Sequence, residues 1–306
     1  MVSIVVATYN RCDFLDDCIK SYNQQDCDKS LFEVLIINNN STDDTEKVSK
    51  DIIEKYPEVD VRYMIETNQG LSHGRNRGIK ESKYNLIHFF DDDAVASPNY
   101  IYNIIDTFER YPKAMAAGGK ILLNYFKVRP KWASVYMESI FGLFDLGDKE
   151  MEFPKNNYPR GSNMTFRRDV FDKVGEFDTS LGRRGKIMLG GEEKEMFQRI
   201  YEFDTSVIYN PLIVCHHAVP EPRTRIDFIR NQVLGIGVSE NIRINNSAFK
   251  YKAKRYFLEG VKWLATLVLF GKYFLIEFNW PKASFIVKFR WWITKGILFG
   301  IEKQPL

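Results

Sequence analysis

Asn85-Leu86-Ile87-His88-Phe89-Phe90-Asp91-Asp92-Asp93-Ala94 is the stretch that decides how this chain folds. Its first six residues read as a buried β-strand, and three consecutive carboxylates follow without a break. The carboxyl end of such a strand is where open α/β sheets bind their ligands. Carboxylates this close repel one another unless a cation or hydrogen bonds offset them. Hard oxygen donors, completed by water and a substrate phosphate, suit Mg²⁺ or Mn²⁺. The competing reading is a solvated turn whose Asp side chains cap a helix.

Upstream, the same alternation recurs. Residues 2–7 and 32–37 are short β-branched, apolar runs, each followed by a polar turn and a helical pattern, as expected of a parallel sheet. In the first helix Asp13 is placed to cap, while Phe14, Leu15, Cys18, Ile19 and Tyr22 recur at helical spacing. The second helix, from Thr45 to about Tyr56, puts Val48, Ile52 and Ile53 on one face. A strand at Val61–Ile65, a helix near Leu71–Ser82 and the strand ending at Asp91 complete a βαβαβαβ half, after which Pro98 opens the next helix.

Downstream, the rhythm changes twice. From Ala114 to Pro220 it is irregular: a strand-like Ala114–Leu122, a polar loop around Asp145–Pro159 and a Gly-rich stretch Gly182–Gly191. An insertion of this kind shapes a binding site or lid. Residues 225–300 read as three or four helices rich in Phe, Trp, Tyr, Lys and Arg. None of their apolar runs approaches the about 18 residues of a spanning helix, since Trp263–Phe270 is brief and Phe285–Phe299 carries Lys288, Arg290 and Lys295. Basic residues mixed with Trp291 and Trp292 fit a segment lying against anionic headgroups, and also fit helices packed on the main domain.

Composition narrows the class. With 306 residues, 44% apolar and 27% charged, the chain is an ordinary globular protein of one large or two modest domains. A net charge of +3 with no Lys/Arg block in the first 200 residues argues against nucleic acid as a partner. Cys12, Cys18, Cys27 and Cys215 show no CxxC spacing, which predicts reduced thiols in a cytoplasmic protein. Met1 leads straight into Val2-Ser3-Ile4-Val5-Val6-Ala7, too short and without the basic start of a signal peptide, so export is not expected.

Several polar clusters share the rim where Asp91 and Asp93 emerge. The first strand ends in Ala7-Thr8-Tyr9-Asn10-Arg11 and the second in Asn38-Asn39-Asn40-Ser41-Thr42-Asp43-Asp44-Thr45. These side chains suit a base and ribose, or only turn and capping chemistry. Asn68-Gln69-Gly70-Leu71-Ser72-His73-Gly74-Arg75-Asn76-Arg77-Gly78 enters a helix and is neither a P-loop nor GxGxxG. Its Arg75 can hold a diphosphate or the acidic cluster through the guanidinium fork, or form a surface ion pair. In Gly190-Gly191-Glu192-Glu193-Lys194-Glu195-Met196-Phe197-Gln198-Arg199, a carboxylate at the helix start is either a general base or a complement to the helix dipole. Cys215-His216-His217 ends a strand-like run from Val207, and two adjacent imidazoles on opposite faces leave one for a metal shell.

Taken in order, VSIVVATYNR, INNNSTDDT, NQGLSHGRNRGI, FFDDDA, GSNMTFRRDVFDKVGEFD, GGEEKEMFQR and the late His pair resemble glycosyltransferase family 2 over about residues 1–220. The likeness has the flavour of bacterial enzymes that build surface or extracellular polysaccharide. It implies an inverting nucleotide-sugar enzyme of GT-A fold, a Rossmann-like mixed, mainly parallel sheet flanked by helices, here with a C-terminal helical extension. Residues 1–112 would form the nucleotide-sugar half, 113–224 the acceptor and catalytic half, and 225–306 a helical region able to touch membrane. The same resemblance places Thr8, Asn10, Arg11 and Asn39 around the nucleotide, with Arg75 near the diphosphate. Asp91 and Asp93 look like the family's DxD pair around Asp92, Asp91 toward the ribose and Asp93 on Mn²⁺ or Mg²⁺. Glu193, with Glu192 second, falls at the catalytic base. His217, or else His216, resembles the late His on the metal or diphosphate, and Ser162 and Asn163 border donor sugar and acceptor.

Two departures from the family pattern stand out. Asn38-Asn39 replaces the usual Asp-Asp or Asp-Asn, so an amide oxygen rather than a carboxylate would meet uracil N3–H. The base is Glu, one methylene longer than the usual Asp. The donor implied is a nucleoside-diphosphate sugar, UDP-linked as first choice, and the acceptor a glycan or polyprenyl-linked glycan at the inner membrane face. Rival readings are a sugar-1-phosphate nucleotidyltransferase, which wants a Gly-rich basic loop that Ala7–Arg11 lacks, and a non-catalytic carbohydrate-binding scaffold of the same fold.

Overall fold

The computed structural model describes residues 1–154, 157–183, 191–203, 205–245 and 248–300. Most of the Gly-rich stretch, including Gly190, and part of the Asp145–Pro159 loop lie outside the described residues. The chain divides into two compact units, Met1–Asn124 with Phe144–Ala218, and Tyr125–Leu143 with the residues from Val219 onward.

Among the described residues, the first unit is built on a mixed nine-stranded sheet. Strands β1 (Val2–Thr8), β2 (Phe32–Asn38), β3 (Asp60–Ile65) and β4 (Leu86–Asp91) run parallel in the order β3-β2-β1-β4. Helices α1 (Cys12–Asn23), α2 (Thr45–Lys55) and α3 (Leu71–Glu81) connect them. Every residue of β2 is buried, which is why Val34–Ile37 read as an unbroken apolar run, while buried Glu33 is paired with Arg62 (2.9 Å). Asp13 sits in the first turn of α1 rather than at its cap; Arg11 holds the cap position, and the Cys12 N–H donates to Asp43 instead.

Beyond β4 the sheet turns antiparallel. Short β5 (Ala94–Ala96) leads through Pro98 to α4 (Tyr100–Arg110), so the proline lies two residues before the helix rather than in its first turn. The long β6 (Ala114–Tyr125), two-residue β7 (Met151–Glu152), β8 (Met164–Arg167) and β9 (Ser206–Val219) finish the sheet, β8 lying between β4 and β6. Two helices, α5 (Asp169–Val174) and α6 (Glu192–Ile200), follow β8. A cluster of Phe89, Phe166, Phe171, Phe177 and Phe197 fills the space where α5 and α6 meet the sheet.

The second unit is helical: α7 (Ile226–Asn245), α8 (Phe249–Gly271) and α9 (Trp280–Phe299), with a π-helical turn at Lys272–Ile276. Helices α7 and α9 cross at two glycines. A Cβ on Gly237 would fall 2.2 Å from the Ile293 carbonyl, and one on Gly296 would fall 2.6 Å from that of Leu234. Among the described residues no helix is long and apolar enough to cross a membrane.

Candidate active site

Parallel pairing sets Thr8 beside Asn38, so the loops after β1 and β2 open on one rim. Hydrogen bonds lace them together. The Asn10 N–H donates to Ser41 Oγ (3.0 Å), and Asn10 Oδ1 accepts from the Thr42 N–H (2.7 Å). Asn10 (φ 53°) and Asn40 (φ 62°) take left-handed backbone, which Asn tolerates better than most residues. The Asn39 amide is engaged with the loop between β3 and α3. Its Oδ1 accepts from the Gly70 N–H (2.7 Å), and its Nδ2 donates to the carbonyls of Glu66 (3.2 Å) and Asn68 (2.7 Å). Asn10 and Asn39 therefore build the rim rather than point freely into it.

Asp91 ends β4, and the turn through Asp92 and Asp93 returns the chain into β5. Because β5 pairs with β9, Ala94 opposite His217, the imidazole is carried over the carboxylates. His217 Nε2 lies 3.1 Å from Asp93 Oδ1 and 3.8 Å from Asp91 Oδ2, and the ligand atoms of the three residues all lie within 4.8 Å of one another. His216 points to the opposite face of β9, which continues through both histidines instead of ending before them. Ser162 Oγ donates to Asp91 Oδ2 (2.6 Å). Arg11, from the loop after β1, pairs through Nη1 with Asp93 and with Asp92 Oδ1 (3.3 Å), so a resident cation offsets the acidic turn. Burial and the neighbouring Asp93 push the Asp92 carboxyl up, and Arg11 pulls it back. Two carboxylates and an imidazole at these separations make a donor set that fits Mn²⁺ or Mg²⁺.

The second part of the site gathers on Arg75. Helix α3 lies hard against β1 because Gly78 allows it; a Cβ there would fall 2.2 Å from Val5 Cγ1. Arg75 is thereby buried, its guanidinium over the Phe177 ring at 5.4 Å. Nη1 lies 3.2 Å from Glu192 Oε1 and Nη2 3.2 Å from Glu193 Oε1, so the fork holds the acidic pair at the start of α6. Burial raises the Glu193 carboxyl above its ordinary range against the opposing pull of Arg75, with Glu192 and Asp91 adding to the rise.

Both parts meet at two consecutive residues. A Cβ on Gly161 would fall 2.1 Å from Glu193 Oε1 and 2.4 Å from Arg75 Nη2, while its neighbour Ser162 holds Asp91. The next residue, Asn163, is fully buried and donates to the carbonyls of Lys120 (3.0 Å) and Ile213 (2.9 Å), which fixes the segment across β6 and β9. Gly161 is not among the residues that the sequence motifs single out, whereas Ser162 and Asn163 are. A glycine beside a short strand was the available signal for close approach.

The same architecture occurs in solved structures. A mannosyltransferase from Pyrobaculum calidifontis, determined with GDP-Man and Mn²⁺, superposes with TM-score 0.64 over 98% of this chain and 88% of its own at 15% identity. S. aureus TarS residues 1–349, determined with UDP-GlcNAc, gives TM-score 0.55 over 77% of this chain and 66% of its own at 18% identity. The fold is that of the GT-A glycosyltransferases. In sequence, the glucosyl-dolichyl phosphate glucuronosyltransferase of Haloferax volcanii is 30% identical over 247 residues, covering 79% of this chain and 76% of its own. The poly-β-1,6-N-acetyl-D-glucosamine synthase of Staphylococcus epidermidis is 24% identical over 72% of this chain, which spans half the synthase's length. Residues 3–175 match the family model described as glycosyl transferase family 2. The chain belongs to that family and is a glycosyltransferase.

Proposed function

We propose that the protein transfers a sugar, with inversion, from a nucleoside-diphosphate donor to a hydroxyl of a lipid-linked glycan. The observation that carries the reading is the Gly161–Ser162 step, which sets a general-base candidate, Glu193, beside the acidic cluster of Asp91 and Asp93. Thr8, Arg11 and the rim that Asn10 and Asn39 brace would face the nucleotide, residues 1–112 supplying that half and 113–224 the acceptor half. Asp91, Asp93 and His217 would hold the metal, the imidazole favouring Mn²⁺ as the softer of the two ions. A divalent cation bound there would neutralise the diphosphate as it leaves.

Glu193 takes the proton from the acceptor hydroxyl as its oxygen bonds to the anomeric carbon. The bond from that carbon to the diphosphate breaks on the opposite face, and the electron pair leaves with the nucleoside diphosphate. Arg75 fixes the carboxylate and keeps a negative charge there tolerable, while burial lifts its proton affinity toward the working range of a general base. The names of the archaeal relatives, which include a dolichyl N-acetyl-α-D-glucosaminyl phosphate 3-β-D-2,3-diacetamido-2,3-dideoxy-β-D-glucuronosyltransferase from Methanococcus voltae, support a polyprenyl-phosphate-linked acceptor. A lipid-linked acceptor goes with a peripheral seat on the inner membrane face, for which the aromatic, basic stretch within residues 225–306 is the candidate.

Calorimetric titration with UDP, GDP and TDP, each with and without Mn²⁺, tests the donor half of this reading. Metal-dependent binding of one nucleotide, UDP first, that disappears in Asp93→Ala is the expected result. Binding that ignores both metal and substitution would overturn the assignment of the acidic cluster.

A further inference from the structure

Within the helical unit, the turn between α8 and α9 carries an unusual surface. Phe278 has a left-handed backbone (φ 49°) that is costly for a bulky residue, and its ring is 86% exposed. The conformation is locked: the Glu277 N–H donates to the Lys272 carbonyl (3.0 Å), and the Asn279 N–H to that of Tyr273 (2.7 Å). Leu275, Ile276 and Trp280 are exposed beside it. A strained, outward aromatic at the head of an apolar tip serves a surface, not the core.

Next to this tip is a cleft of about 380 Å³ lined by Arg129, Lys131, Lys282, Phe278 and Asn279. Arg129 forms a fork on buried Glu138, with contacts of 2.6 and 2.7 Å. Lys282 lies 3.6 Å from Glu277 and 5.5 Å from the Tyr273 ring centroid. Lys131 is exposed and makes no ion pair among the described residues. With Lys272, four cations face two carboxylates, so the cleft and tip keep a positive excess.

We infer that the tip inserts its apolar side chains into a membrane surface and that the cleft seats the phosphate of an anionic lipid headgroup. Aromatic and aliphatic residues at acyl depth with cations at phosphate level are the two halves of interfacial binding. The inference rests on the proposed membrane seat and narrows it to residues 129–131 and 272–282.

Flotation of the full chain with phosphatidylcholine vesicles, with and without phosphatidylglycerol, tests it. The wild type should float best with the anionic vesicles. Lys131→Gln with Lys282→Gln should weaken that binding roughly 25-fold, at about fivefold per cation, and leave the phosphatidylcholine arm little changed. Phe278→Gly should weaken both arms while raising the thermal midpoint, because glycine relieves the backbone; a folding defect could not produce that combination. Wild-type binding that both variants retain would overturn the cleft and tip while leaving the membrane seat standing elsewhere on the unit. No flotation of the wild type would overturn both. Displacement from anionic vesicles by inorganic phosphate, but not by chloride at equal ionic strength, would make the cleft a soluble-phosphate site and overturn the lipid assignment.

Discussion

Glu193 is balanced between burial, which favours its protonated form, and Arg75, which favours its charge. General-base assistance is worth about 10²–10⁴-fold, so Glu193→Gln should lower turnover by that factor while nucleotide titrations stay unchanged. Turnover that survives the substitution would remove Glu193 from the role. Its raised proton affinity also has a stability signature. The native state binds this proton more tightly than the unfolded chain, so the contribution is fully present below the ordinary pKa of 4.5 and is lost as pH rises through the raised value. The thermal midpoint of Glu193→Gln should therefore gain on the wild type between acidic and neutral pH. Gly161→Ala tests the packing that sets the pair: the new methyl would overlap Glu193 Oε1, and a displacement of the base by ~1 Å costs about 10²-fold. A fall of that order in kcat with little change in donor KM and an unchanged thermal midpoint is expected, whereas a midpoint lowered to near the assay temperature would assign the loss to unfolding. The converging residues were legible because charged groups at strand and helix ends are conspicuous. Gly161 was not, since its contribution is the absence of a side chain. What the structure adds for Asn39 and Asn163 is their bracing contacts, because a buried amide that holds a loop looks, in sequence, like one that binds a ligand.

At the scale of elements, the parallel half was read nearly to the residue, because strands buried on both faces announce themselves as apolar runs between polar turns. The antiparallel half was not. Four-residue β8 and two-residue β7 are too short to show a period, and β9 runs past Cys215 only because β5 pairs with its far end. That long-range pairing selects His217 over its neighbour, which no local pattern determines. The seat of α3 on β1 is a second such case, resting on one glycine. Gly78→Ala would press a methyl into Val5, and overpacking of this kind costs typically about 1–3 kcal/mol. The thermal midpoint should drop accordingly. Because α3 also carries Arg75, kcat should fall with it, whereas an unchanged midpoint would mean the helix can slide away at no cost.

Across the whole sheet, one buried chain of hydrogen bonds ties the parallel half to the antiparallel half. His88 of β4 contacts Thr165 Oγ1 of β8 through Nδ1 (2.8 Å) and the Tyr100 hydroxyl of α4 through Nε2 (3.0 Å). Tyr100 donates to Asn163 Oδ1 (2.9 Å), whose Nδ2 is held by the two carbonyls on β6 and β9. Tyr100 has a single proton and gives it to Asn163, so His88 donates from Nε2, and as a neutral imidazole it accepts from Thr165 at Nδ1. Burial holds this imidazole neutral, driving the His88 pKa down to about 3 from an ordinary 6.5. The unfolded chain binds that proton first as pH falls, so the stability is fully present above 6.5 and is lost progressively down toward the native value. Each pH unit inside this window costs about 1.4 kcal/mol, or about 2 kcal/mol by pH ~5. Denaturant titrations of the wild type and of His88→Gln at about pH 7 and pH 5 isolate the contribution, because the carboxylates common to both cancel. The wild type should lose about 2 kcal/mol more than the variant between those conditions. Equal losses would mean that His88 does not titrate between the folded and unfolded states, and that the sheet is joined by packing rather than by this network.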